Sequence, residues 1–122
     1  MEKTIEGRCH CGAVAFTYHG TPDHITICNC SICRRLRTLN AYGTEENIEL
    51  RMTPDATIAY VQGDKSLAWH TCRTCGCTTH WASLVDEPPI RIAVNMALAE
   101  PAAIAGIRVR HFDGADSWTF LD

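Results

Sequence analysis

The sequence predicts an all-β protein, made of short antiparallel sheets built around zinc, with little helix. Three observations predict it. Strand-like runs of five or six residues recur along the chain, each stopped by turn residues. Helical signals are brief. Eight cysteines gather in three tight groups.

The strand-like runs are taken in order. Residues 13–18 (AVAFTY) end at Gly20-Thr21-Pro22-Asp23, and 24–28 (HITIC) lead into a cysteine group. Residues 47–52 (NIELRM) alternate and stop at Pro54-Asp55, while 57–62 (TIAYVQ) stop at Gly63-Asp64. Residues 90–95 (IRIAVN) and 107–112 (IRVRHF) repeat the pattern. One helical turn is expected after Asn29 and Ser31, through Arg35 or Arg37. Residues 97–105 are alanine-rich, but Pro101 interrupts them, so they read as a turn with one short helix.

A length of 122 residues fits a single domain spanning 1–122. A formal charge of −3 with no basic cluster points away from nucleic acid. The opening Met1-Glu2-Lys3-Thr4-Ile5-Glu6 lacks the apolar run of a signal peptide, and no stretch has the length of a membrane span. The expected location is the cytoplasm, without a membrane partner. Eight cysteines in a reducing compartment do not read as four disulfides, so metal binding is the leading explanation. An iron–sulfur cluster is the lesser alternative, since thiolates also suit iron.

Cys72-x-x-Cys75-Gly76 has the form of a zinc knuckle, in which a tight turn aims two sulfurs at one ion. Cys9-x-Cys11-Gly12 gives a shorter bite, again followed by glycine. Together they supply four thiolates, enough for a closed tetrahedral site. Cys28, Cys30 and Cys33 can give three thiolates to a second ion. Its fourth position is open to water, to a substrate thiol, or to Cys77. Arg8, Arg34, Arg35 and Arg73 adjoin cysteines and offer positive charge near the thiolates, although solvent-exposed arginines are the simpler reading.

Thiolates donate strongly, so a three-thiolate zinc is a weaker Lewis acid than a three-histidine zinc. It lowers the pKa of bound water less, yet it suits an incoming thiol held as thiolate. An open second site therefore points to thiol chemistry rather than to hydrolysis.

Residues 7–14 (GRCHCGAV), 28–35 (CNCSICRR) and 72–76 (CRTCG) closely resemble the glutathione-dependent formaldehyde-activating enzyme family, which includes centromere protein V. Val94-Asn95 and Arg110-His111-Phe112 with Trp118 are similar to its C-terminal portion. The resemblance implies a β-tent fold. It implies a structural zinc on Cys9, Cys11, Cys72 and Cys75, and an exchangeable zinc on Cys28, Cys30 and Cys33. It further implies a carbon–sulfur lyase joining glutathione and formaldehyde to S-hydroxymethylglutathione, or the reverse, with the glutathione sulfur meeting the second zinc.

The other chemistry-bearing residues carry weaker expectations. His10 and His70 lie near cysteines and could replace one, and His80 could face the second site as a base, but a core or surface histidine is the default. Asp86-Glu87-Pro88-Pro89 reads as a solvated turn. Trp69, Trp81 and Trp118 read as core or pocket wall, and Tyr42 and Tyr60 are candidates to line a site. Two other functions compete with the lyase. One is a zinc-stabilised binding or scaffold module, favoured if Cys77 closes the second site. The other is a redox or metal-buffering protein using the second cysteine group.

Overall fold

The computed structural model describes residues 3–122. Among the described residues ten strands form two sheets, and the expected all-β, tent-like architecture holds. The small sheet contains β1 (Thr4–Arg8), β2 (Ala15–His19) and β5 (Ile48–Arg51), in the order β1-β2-β5. The large sheet contains β3 (Ile25–Cys28), β4 (Asn40–Thr44), β6 (Thr57–Val61), β7 (Leu67–Cys72), β8 (Thr78–Ser83), β9 (Arg91–Asn95) and β10 (Val109–Phe112). Its order is β10-β3-β4-β9-β8-β7-β6.

All six strand-like runs contain strands, within a residue or two at most of their ends. Strands β1, β4, β7 and β8 go beyond those runs. Their sequences contain glycine, asparagine, alanine, histidine and serine, which are weak β formers. Pairing on both sides decides β4, β7 and β8 instead, since β8 lies between β7 and β9, β7 between β6 and β8, and β4 between β3 and β9, whereas β1 is an edge strand paired with β2. One pairing departs from the antiparallel expectation. β10 returns along the outer edge of β3 in parallel, with Arg110 opposite Thr26 and Phe112 opposite Cys28.

Helix is confined to single turns. α1 (Cys33–Leu36) is the turn expected after Ser31, and it closes on Arg37 in the left-handed region (φ 57°). α2 (Pro101–Ile104) corrects the reading of Pro101 as an interruption. That residue occupies the first turn, where its missing N–H costs nothing, and it starts the helix.

The main core lies between the sheets. Ile5, Phe16, Tyr18 and Ile48 of the small sheet meet Ile25, Ala41, Ile92 and Val94 of the large one. Strand alternation then puts Thr26, Cys28, Asn40, Tyr42, Ala93, Trp81 and Trp69 on the opposite face of the large sheet. Trp69, Trp81 and Ala93 form a second cluster there, which packs with Tyr42, Leu67 and the α1 residues Cys33 and Leu36.

Candidate metal centres

Cys9 and Cys11 sit in the turn between β1 and β2, and Cys72 and Cys75 in the hairpin between β7 and β8. The two turns are built alike. The Cys9 N–H donates to the Val14 carbonyl (2.9 Å) and the Cys72 N–H to the Cys77 carbonyl (2.8 Å). Gly12 and Gly76 take φ of +84° and +80°, a conformation that side-chain-bearing residues resist. Their N–H groups donate to the carbonyls of Cys9 (2.9 Å) and Cys72 (3.0 Å), closing each turn.

The four sulfurs lie within 4.8 Å of one another. Cys9 Sγ is 3.7 Å from Cys11 Sγ, which is 3.6 Å from Cys72 Sγ. A tetrahedron with metal–sulfur bonds of about 2.3 Å has edges of about 3.8 Å. The cluster is therefore spaced for one tetrahedral ion. The thiols do not share one proton affinity. The N–H groups of Cys77 and Cys11 hold Cys75 down to about 5. At Cys11 the Ala13 N–H pulls downward, but burial and the Cys72 and Cys9 thiols outweigh it and push the thiol up to about 11.

Cys28 ends β3, Cys30 lies in the loop and Cys33 opens α1, and their sulfurs form the second cluster. Two main-chain groups point at these sulfurs: Cys30 N–H at Cys28 Sγ (3.5 Å) and Cys33 N–H at Cys30 Sγ (3.4 Å). Burial, followed by the neighbouring Cys30 thiol, pushes the Cys33 thiol up. Burial also acts upward on Cys30, but the N–H and thiol of Cys33 outweigh it and the thiol is held down. A cationic ion would relieve this crowding, since all three sulfurs could then ionise.

Cys77, one of three candidates for the fourth position of the second cluster, lies apart from that cluster. It packs with Cys9, Val14 and Cys72, beside the His10 N–H and the Cys75 thiol. Cys77 holds the place in its turn that Val14 holds in the other, which is a packing position. Among the described residues, no histidine or carboxylate joins either cluster. His70 bonds Thr57 Oγ1 through Nδ1 (2.7 Å), and His80 bonds Thr79 Oγ1 (2.7 Å). The two rings stack at 4.5 Å on the core side of the sheet, so His80 does not face the second cluster. Arg35 and Arg73 spend their guanidinium groups on main-chain carbonyls, those of Ser31, Asp55 and Thr57.

The C-terminal segment covers the second cluster, a role not foreseen from sequence. Asn29 anchors it: its side chain donates to Asp113 Oδ1 (2.9 Å) and accepts from the Ala115 N–H (3.0 Å). Gly114 lies so close that a Cβ on it would stand 2.7 Å from Cys28 Sγ. Only a residue without a side chain fits there. Trp118, 70% exposed, stands at the rim against Phe112.

Tyr42 links this cluster to the rest of its face. It lies close enough to Cys28 and Cys33 to feel their charge, and its ring meets Trp81 at 6.1 Å. Burial pushes the Tyr42 hydroxyl up, with Cys28 and Cys33 adding to it, against the hydrogen bonds it makes with Thr26 and Asn40. Beyond Trp81 lies a groove of about 260 Å³ lined by Ser66, Ser83, Glu87 and Arg91 among others. The Arg91 guanidinium lies over the Trp81 ring at 5.6 Å.

Fold and site define a class: small two-sheet β proteins carrying one four-cysteine and one three-cysteine cluster, each suited to a metal ion. The particular family follows from comparison. The chain belongs to the glutathione-dependent formaldehyde-activating enzyme family, whose profile matches residues 4–108. It is also similar to the crystal structure of a protein from Rhodobacter sphaeroides, with 27% identity and a TM-score of 0.66. That match covers 86% of this chain and 99% of the other.

Proposed function

We propose that the protein is a zinc-dependent carbon–sulfur lyase that joins a thiol to an aldehyde, or reverses that step, at Cys28, Cys30 and Cys33. The thiol class is that of glutathione and the aldehyde is formaldehyde, as the family name suggests. The structural zinc belongs to Cys9, Cys11, Cys72 and Cys75. One observation carries the reading: the second cluster has three thiols and, among the described residues, no fourth metal-binding side chain. Three protein ligands with one open position mark a reactive site, while four mark a structural one.

The zinc supplies a place where the incoming thiol is held as thiolate. The chain's own residues do the rest. The N–H groups of Cys30 and Cys33 steady the sulfurs. The segment around Gly114 screens the cluster on one side. Tyr42 and Trp81 form a continuous wall from the cluster to the groove. The groove offers Arg91 to a carboxylate and Ser66 and Ser83 to amides, which suits the peptide-like remainder of the thiol.

Formaldehyde and glutathione equilibrate slowly alone, and exchange NMR follows them. The zinc-loaded protein is expected to speed that exchange, and Cys30→Ser to abolish the gain. An unchanged rate with the wild-type protein would remove glutathione as the thiol. The scaffold reading needs a closed second site, and the position of Cys77 beside Cys75 counts against it.

A further inference from the structure

The groove beyond Trp81 holds two opposite charges that the fold leaves unneutralised. Strand register sets its position. Trp81 stands opposite Trp69 on β7 and opposite Ala93 on β9, and Ala93 stands opposite Tyr42 on β4, so these side chains form one row across the sheet. Leu67, Ser83 and Arg91 lie two residues from Trp69, Trp81 and Ala93, on the same face in the next row, and they line the groove. The loop from β8 to β9 brings Glu87 to it. Glu87 and Arg91 make no ion pair with each other, and among the described residues neither side chain has any other hydrogen-bond or ion-pair partner. The Arg91 guanidinium rests over the Trp81 ring instead, which leaves its N–H groups unbonded. A lone charge on a surface is ordinarily solvated. One of each sign in a shared groove is the complement of a zwitterion. At about 260 Å³ the groove falls below the range for a drug-sized ligand, on the order of 300–1,000 Å³, so it suits one end of a molecule rather than all of it.

We propose that Arg91 and Glu87 hold the zwitterionic α-amino-acid end of the thiol whose sulfur meets the second cluster. The inference rests on the lyase reading and adds which thiols the site accepts. Arg91 takes the α-carboxylate and Glu87 the α-ammonium group, each through a charge-assisted hydrogen bond. A thiol that lacks either charge uses only half of the receptor. Reach is the second condition. Cys33 and Leu67 both pack against the cluster of Trp69, Trp81 and Ala93, and Leu67 also lines the groove, so sulfur site and groove share one wall. Tyr42, near the sulfurs, and Trp81, at the groove, lie two strands apart, about 10 Å across the sheet. Free cysteine carries its charges beside the carbon that bears the sulfur and cannot bridge that gap. A γ-glutamyl arm carries them at the far end of an extended chain and can. The groove supplies one cation, so the glycine carboxylate of glutathione finds no partner in it. Recognition therefore falls on the γ-glutamyl end, and the glycine is dispensable.

The test separates the arm from the sulfur. Protein loaded with two cobalt(II) ions reports thiol binding through sulfur-to-cobalt absorption. The thiols titrated are γ-glutamylcysteine, glutathione, N-glutarylcysteine, which has the same arm without the ammonium group, and N-acetylcysteine, which has no arm. In the wild type γ-glutamylcysteine is expected to bind at least tenfold more tightly than N-glutarylcysteine, as for one charge-assisted hydrogen bond, and within about twofold of glutathione. Glu87→Gln is expected to abolish that preference by weakening γ-glutamylcysteine and not N-glutarylcysteine. Arg91→Gln should weaken both, by about tenfold. Both variants should keep both cobalt ions and an N-acetylcysteine affinity within about twofold of the wild type. Equal binding of γ-glutamylcysteine and N-glutarylcysteine by the wild type would overturn the receptor and leave the thiol site standing. So would a Glu87→Gln variant that keeps the full preference, or glutathione binding tenfold more tightly than γ-glutamylcysteine. A cobalt protein whose spectrum no thiol changes would overturn the lyase reading, and the receptor with it.

Discussion

Replacing Cys77 by serine is expected to leave two metal ions per chain and the average sulfur coordination unchanged. Seven thiols in two clusters account for the ligands, and Cys77 packs outside both. Metal analysis with zinc-edge absorption on both proteins checks this; a loss of one sulfur per chain in the variant would return Cys77 to the ligand set. His80 makes a different prediction at the same scale. Burial, with the His70 ring adding to it, holds its pKa down to about 3. In the unfolded chain it titrates near 6.5. Between those values the unfolded state binds the proton and the folded state does not. Stability therefore falls as pH drops through the window from about 6.5 to about 3, and is fully present above it. Between pH 7 and pH 5 this amounts to ~2 kcal/mol. His80→Gln removes that slope, whereas acid release of metal affects both proteins alike. Urea unfolding at the two pH values should show a smaller acid loss for the variant; equal losses would refute a neutral buried His80.

The C-terminal segment acts as an element although little of it is regular. Its anchor is the parallel pairing of β10 with β3, reinforced by the Phe112–Trp118 and Phe112–Phe120 ring contacts at 5.1 and 5.0 Å. The result holds Gly114 over Cys28. Gly114→Ala would bring a methyl group to 2.7 Å from Cys28 Sγ and 3.1 Å from Cys30 Cβ, so the loop or the cluster must shift. The expected outcome is at least tenfold weaker metal binding at the second cluster with the first unaffected, a change of about 1.4 kcal/mol. Competition with a chelating dye, read as two separate binding steps, measures it. Equal weakening of both steps would point to a global defect instead.

For the whole molecule, the four-cysteine cluster is a staple between sheets. Cys9 and Cys11 come from the hairpin of the small sheet, and Cys72 and Cys75 from the hairpin of the large one. One ion bound there would tie the sheets together, adding to their shared core and to the hydrogen bond from the Tyr18 hydroxyl to the Tyr42 carbonyl (2.8 Å). Structural zinc in small domains contributes apparent binding energies on the order of 10–16 kcal/mol, against a net domain stability of roughly 5–15 kcal/mol. Removing this ion should unfold the protein. Removing the second, from a cluster drawn entirely from one stretch of chain, should leave the fold intact. Stepwise chelation followed by near-ultraviolet circular dichroism of the tryptophans would show one silent step and one collapse. Cys9→Ser and Cys75→Ser should reproduce the collapse by lowering the melting temperature strongly. Either variant retaining full thermal stability would contradict the staple.

Sequence alone determined the all-β class, the six runs of strong β formers and the grouping of seven cysteines into a set of four and a set of three. These are local or compositional facts. Alternation shows in a run such as residues 90–95, and close spacing confines Cys28, Cys30 and Cys33 to one place. The family was likewise legible from the cysteine motifs. Tertiary structure alone decided the rest. Strands β4, β7 and β8 exist because neighbours on both sides satisfy their main chain, which propensity does not reveal. Cys77 lies only two residues beyond Cys75, yet the hairpin sends it inward to pack. Asn29 and Ala115 meet across 86 residues of chain only because β10 returns beside β3.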